Sequence, residues 1–153
     1  MKILLATDGS EYSEATVDEV ASRPFPEGTE VLVVSVFEVP AFPLGFPFGG
    51  VDFFDDQMQK SAGAAAEKAA AKLRKGKEGR KLKVLTRVLS GSPKRVILEQ
   101  AEVFGADLIV LGSRGLGAWD RLLLGSVSQA VATHAKCSVE IVRAPAARGS
   151  ETS

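Results

Sequence analysis

One cysteine, one histidine and a formal net charge of zero are the scarcities that bound this chain. With Cys137 alone, no internal disulfide forms and no cysteine-built zinc site is available. His134 alone excludes a histidine-rich metal centre. Nineteen basic residues balance nineteen acidic ones, so there is no global pull toward nucleic acid or an anionic membrane. Long hydrophobic runs are missing as well. The N-terminal apolar run, residues 3–6, is too short for a secretory core segment or a membrane span. The expectation is a cytoplasmic protein without a membrane or nucleic-acid partner.

What is present is ordinary globular composition: 45% apolar and 25% charged residues over 153 positions, enough for one domain with a real core. Five strand-like runs, at 2–7, 30–37, 83–89, 107–112 and 138–143, alternate with helix-like segments. Ser10 or Ser13 can cap a first helix that buries Val17, Val20 and Ala21 and stops before Pro24. A second, over 55–75, lines up Met58, Ala62, Ala65, Ala69 and Leu73. A third starts at Ser92-Pro93 and buries Val96, Ile97, Ala101 and Phe104; a fourth spans 126–134. Such alternation predicts an α/β three-layer sandwich, a five-stranded parallel sheet with helices on both faces and right-handed crossovers. The third and fifth runs admit charges and belong at the edges, giving the order 3-2-1-4-5. The domain covers 1–144, and 145–153 reads as a flexible tail.

That order puts the topological switch between strands one and four, where open α/β sheets bind ligands outside the carboxyl ends of their strands. The loops there are Thr7-Asp8-Gly9-Ser10 and a glycine-rich stretch from Gly112 to Gly125. The second runs into Ser126-x-x-Gln129, the spacing of a capping box. Glycines between a strand and a helix N-terminus let backbone N–H groups approach phosphate, although they also serve as plain turn formers. As a cap, the Ser126 hydroxyl would contribute about 1 kcal/mol of stability. Asp8 suits a turn, a ribose hydroxyl or Mg²⁺, and Arg114 suits neutralisation of phosphate charge. A phosphate-loop lysine of the G-x-x-x-x-G-K-[ST] kind is missing, and Asp8 is the only credible metal carboxylate for fast phosphoryl transfer.

Over about residues 2–143 the chain resembles the universal stress protein family. The pattern glycine, two residues, glycine, nine residues, glycine, serine stands as Gly112, Gly115, Gly125 and Ser126, and the opening Ile3-Leu-Leu-Ala-Thr7-Asp8-Gly9-Ser10 looks like the family's first strand and acidic turn. The resemblance implies an ATP-binding stress-response regulator with slow or no hydrolysis, dimerising through the last strand. It implies that Ala6, Thr7 and Asp8 meet the adenosine half and that Val36 flanks adenine. Gly112, Ser113, Arg114, Gly115, Leu116, Gly117 and Ala118 would wrap ribose and phosphates, and Gly125, Ser126, Val127 and Ser128 would hold the outer phosphates. A nucleotide-free dimeric scaffold and an ATP-using enzyme of related fold are the alternatives.

An exposed fifth strand carrying Val139, Ile141 and Val142 is a pairing hazard that a two-fold partner would cover, unless Glu140 and the tail blunt it. The basic run over 68–83 reads as a solvated helix end. Residues 39–50, with three phenylalanines among prolines and glycines, read as irregular chain that lids the site, meets a partner or folds back on the core. Cys137 and His134 read as helix-end residues, and Asp120 with Arg121 as a surface pair.

Overall fold

The protein's structure is a computed structural model that describes residues 1–41, 43–45, 48–76, 82–114 and 124–144. In chain order the elements are β1 (Lys2–Ala6), α1 (Glu11–Ser22), β2 (Glu30–Phe37), α2 (Phe48–Arg74), β3 (Lys83–Ser90), α3 (Pro93–Phe104), β4 (Leu108–Gly112), α4 (Ser126–His134) and β5 (Ser138–Val142). The five strands form one parallel sheet in the order β3-β2-β1-β4-β5, the expected order, with the two charge-bearing strands at its edges. The tail 145–153 lies outside the described residues.

Side-chain alternation along the strands splits the core into two layers. Ile3, Leu5, Val31, Val33 and Val110 point toward α1 and α2, meeting Val17, Val20, Ala66, Ala69, Ala70 and Leu73. Leu4, Ala6, Leu32, Val34, Ile109 and Leu111 point the other way, onto Ile97 and Ala101 of α3 and Val131 of α4. Small alanines on α2 let that helix lie close against β2 and β3. Ion pairs then fasten it to α1: Lys68 to Glu14, and Lys72 to Asp18. These contacts, with Arg74–Glu67 and Lys83–Glu30, pair four cations of the basic run, whose side chains remain 46–71% exposed; Lys77, Arg80 and Lys81 lie outside the described residues.

Two boundaries differ from the sequence expectation. α2 starts at Phe48 rather than at 55, so the glycines at 49 and 50 are helical despite costing about 1 kcal/mol each relative to alanine. No proline follows position 47 before Pro93, so nothing in the sequence sterically bars the longer helix. At α4 the cap is Gly125, whose carbonyl accepts from Gln129 N–H at 3.0 Å; Ser126 is the first helical residue and makes no cap bond. The S-x-x-Q capping box therefore does not form, because its register is one residue out. At α1 the Ser10 hydroxyl caps by accepting from Ser13 N–H at 3.3 Å.

Glu140 on the edge strand β5 turns toward α1, where the Arg23 guanidinium donates to both of its carboxylate oxygens at 2.5 Å and also reaches Glu19 at 2.8 Å. The pairing with Glu140, then with Glu19, raises the Arg23 pKa further above its ordinary value. This bidentate geometry links the end of α1 to β5 across 117 positions of sequence. A double-mutant cycle of Arg23→Ala and Glu140→Ala, read by denaturant unfolding, is expected to give a coupling of about 1 kcal/mol. A coupling of zero would show the pair contributes nothing to holding β5.

Candidate functional site

β1 and β4 lie side by side at the centre of the sheet, with Leu5 opposite Val110. Continuing that register by two residues sets Thr7 beside Gly112, so the turn after β1 and the loop after β4 leave the same carboxyl edge.

The first loop is a hydrogen-bonded turn. Thr7 N–H extends the sheet by donating to Val34 O at 3.0 Å, and its hydroxyl donates to Ser13 Oγ at 3.1 Å. One carboxylate oxygen of Asp8 accepts from both Ser10 N–H (3.0 Å) and Ser10 Oγ–H (2.6 Å). Gly9 has φ +78°, and a Cβ there would stand 3.1 Å from Ala65 Cβ of α2. Asp8 is thus the turn residue that the sequence allowed, with its carboxylate held in a fixed direction at the switch point. Among the described residues no three His, Cys, Asp or Glu side chains gather as metal ligands.

The second loop is pinched at its base. Ser113 O accepts from Gly125 N–H at 2.7 Å and from Ser128 Oγ at 3.0 Å, while Ser113 N–H donates to Val142 O of β5 at 2.9 Å. Ser128 Oγ also lies 3.0 Å from Gly125 O. Ser113 and Ser128 are both buried. The two flanking glycines sit in close packing. A Cβ on Gly112 would come within 3.2 Å of Tyr12 O and of Arg114 O, and one on Gly125 within 3.3 Å of Ser113 O. This Ser113–Gly125–Ser128 junction escaped the sequence reading, because no short-range spacing signals a hydroxyl that bonds a carbonyl fifteen residues back.

Beyond the pinch, α4 begins after Gly125 with no side-chain cap bond, and the N–H groups of its first turn, which have no intrahelical carbonyl, carry no such cap among the described residues. Together with the positive end of the helix dipole, this is a place that accepts an anion. Val36 lies two residues past Val34, the partner of Ala6, and packs on the α3–α4 layer. Ala6, Thr7, Asp8, Val36, Gly112, Ser113, Arg114, Gly125, Ser126, Val127 and Ser128 thus all lie at the carboxyl end of β1, β2 or β4 or at the start of α4. Gly115, Leu116, Gly117 and Ala118 lie outside the described residues, as do Asp120 and Arg121.

Elsewhere the described residues offer little reactive chemistry. Burial raises the Cys137 pKa, which keeps it a thiol at neutral pH. His134 Nδ1 lies 2.9 Å from Ala130 O, within its own helix. Among the described residues no helix is long and apolar enough to cross a membrane.

Residues 1–143 match the model of the universal stress protein family. A universal stress protein of Thermus aquaticus is 37% identical over 145 residues, covering 92% of this chain and 97% of its own. Among solved structures, the universal stress protein UspA of Lactobacillus plantarum superposes with a TM-score of 0.77 at 22% identity, over 94% of this chain and 97% of that one. A universal stress protein family protein of Arabidopsis thaliana, solved with AMP bound, gives a TM-score of 0.61 at 17% identity, over 95% and 93%. At those identities the two solved structures speak for the fold.

Proposed function

The chain belongs to the universal stress protein family, and from that premise we propose that it is an ATP-binding regulatory protein that hydrolyses its nucleotide slowly or not at all. The observation that carries this is the pinched loop base leading into an uncapped helix N-terminus, at the family's glycine spacing. The AMP-bound plant protein of the same fold supports an adenine nucleotide as the guest.

In this reading Ala6, Thr7 and Asp8 take the adenosine half, Val36 flanks the base, and residues 112–118 wrap the ribose and inner phosphates. Gly125 N–H and the Ser128 hydroxyl are already bonded to Ser113 O, so these two residues act by shaping the cradle. The outer phosphates then fall to the backbone N–H groups of Ser126 and Val127 and to the Ser126 hydroxyl. Arg114 supplies positive charge. Mg²⁺ fits beside Asp8 only if phosphate oxygens and water complete its shell, since no cluster of three His, Cys, Asp or Glu side chains forms among the described residues. Two copies pairing along β5, whose Val139, Ile141 and Val142 already pack half-buried on their own core, would leave the backbone edge as the bonding surface. The protein acts in the cytoplasm.

Protein purified without added nucleotide and then denatured is expected to release ATP or ADP, detected by chromatography. An empty supernatant together with no calorimetric heat on ATP titration would remove the proposal. Turnover above about 1 s⁻¹ would instead make the chain an ordinary ATP-using enzyme.

A further inference from the structure

The buried face of α1 changes character along its length. Val17 and Val20, in the second half, pack into the aliphatic layer, whereas Ser13 and Thr16, in the first half, bury hydroxyls at 3% and 0% exposure. With Thr7 and Ser10 they make a run of four buried hydroxyls, one at every third position from the end of β1 into the helix. Replacing a bonded pair of buried polar groups by apolar ones of the same shape costs little stability, so stability alone gives no reason for four of them to gather here.

Their bonds converge on the turn after β1. The Ser13 hydroxyl accepts from the Thr7 hydroxyl at 3.1 Å and donates to Ser10 O at 3.0 Å. It thereby ties together the residues on either side of Asp8 and Gly9, and Ser10 in turn holds one Asp8 oxygen through its N–H and its hydroxyl. The same stretch of helix faces the second loop, since a Cβ on Gly112 would come within 3.2 Å of Tyr12 O and 3.4 Å of Thr16 Oγ1. The Thr16 hydroxyl donates to Tyr12 O within its own helix, at 3.2 Å, so of the two buried helix hydroxyls Ser13 is the one that reaches the turn. A binding group keeps its direction only when the residues behind it are held. We propose that Ser13 is a positioning residue of the nucleotide site: buried out of reach of a ligand, its hydroxyl sets the direction in which the Thr7–Asp8 turn meets the adenosine half. This rests on the ATP reading above and adds to it a residue that acts through Thr7.

Ser13→Ala removes the bond without removing the cap, because the Ser10 hydroxyl accepts from the backbone N–H of residue 13 and Ser10 O keeps Glu14 N–H at 3.0 Å. The full chain and its Ser13→Ala, Thr7→Val and double variants are titrated calorimetrically with ATP and with AMP, at a temperature where denaturant curves show each to be folded. Ser13→Ala is expected to weaken both nucleotides by the same factor, about fivefold or more, because the turn meets the half that they share. The double variant should lose no more than the worse single one, since both substitutions break one bond. Parental affinity in Ser13→Ala would overturn the proposal, as would a loss confined to ATP, additive losses in the double variant, or a Ser13→Ala chain that no longer unfolds cooperatively. Each of these leaves the ATP reading standing, provided the parent binds ATP. A parent that binds neither nucleotide would remove that reading and this proposal together.

Discussion

Gly125→Val is expected to lower ATP affinity by at least a hundredfold, roughly 2.7 kcal/mol, while the domain stays folded. The backbone at 125 is extended (φ −70°, ψ 163°), so valine meets no dihedral penalty. The obstacle is space: its Cβ would sit 3.3 Å from Ser113 O and 3.7 Å from Ser128 Oγ, and the branched methyls extend further. Relieving that contact means lengthening the 2.7 Å bond from Gly125 N–H to Ser113 O, which swings the first turn of α4 away from the loop. Losing two charge-assisted phosphate contacts at about 1.5–3 kcal/mol each more than accounts for a hundredfold. Overpacking at the junction removes about 1–3 kcal/mol of stability, less than a typical domain possesses. Gly125→Ala adds only the Cβ and should fall between. Ser126→Ala sharpens the assignment. Its hydroxyl is no cap, so stability should move by less than about 0.5 kcal/mol, and any loss of affinity belongs to the ligand. Calorimetric titration beside denaturant unfolding reads both quantities. Unchanged affinity in a folded Gly125→Val would show that phosphate lies elsewhere.

How much of this was legible beforehand depends on which forces wrote it. The sheet order could be read because edge position leaves a trace in composition: Thr86 and Arg87 in β3, and Glu140 in β5, sit where a central strand has only aliphatic residues. The glycine motif was legible because close backbone approach tolerates no Cβ, and Gly112 and Gly125 both turn out to face carbonyl oxygens. The cap of α4 was not. Ser126 and Gly125 are adjacent candidates, and tertiary bonds from Ser113 decided the register. The start of α2 was missed because propensity penalises Gly49 and Gly50, whereas a helix already anchored by five buried residues further along propagates through them. The long pairing of Arg23 with Glu140 carries no local signature at all.

Leu32→Ala is expected to destabilise the protein by about 2–5 kcal/mol, because a fully buried leucine in a closed layer leaves a cavity when truncated. Leu32 lies on β2 between Leu4 and Leu85, under Ile97 and Ala101 of α3. Its neighbour Leu85 points to the same face but is 40% exposed, since α3 lies over β1 and β2 and leaves the edge strand half open. Leu85→Ala should therefore lose about 1 kcal/mol or less, and the contrast between two registered leucines measures how far α3 closes the layer. Thermal melts separate them: for a chain of this size about 2–4 °C is lost per kcal/mol, so Leu32→Ala should fall by roughly 5–15 °C and Leu85→Ala by a few. Saturating ATP adds a second reading. Ligand at a hundred times its dissociation constant stabilises the folded state by about 2.7 kcal/mol. The sheet that Leu32 supports also sets Thr7 beside Gly112, so the melt of Leu32→Ala should recover part of its loss when ATP is present. A variant that still melts cooperatively, yet gains nothing from ATP while the parent does, would mean that the α3 layer shapes the nucleotide site as well as supporting the sheet. A parent whose melt ATP leaves unmoved would count against nucleotide binding altogether.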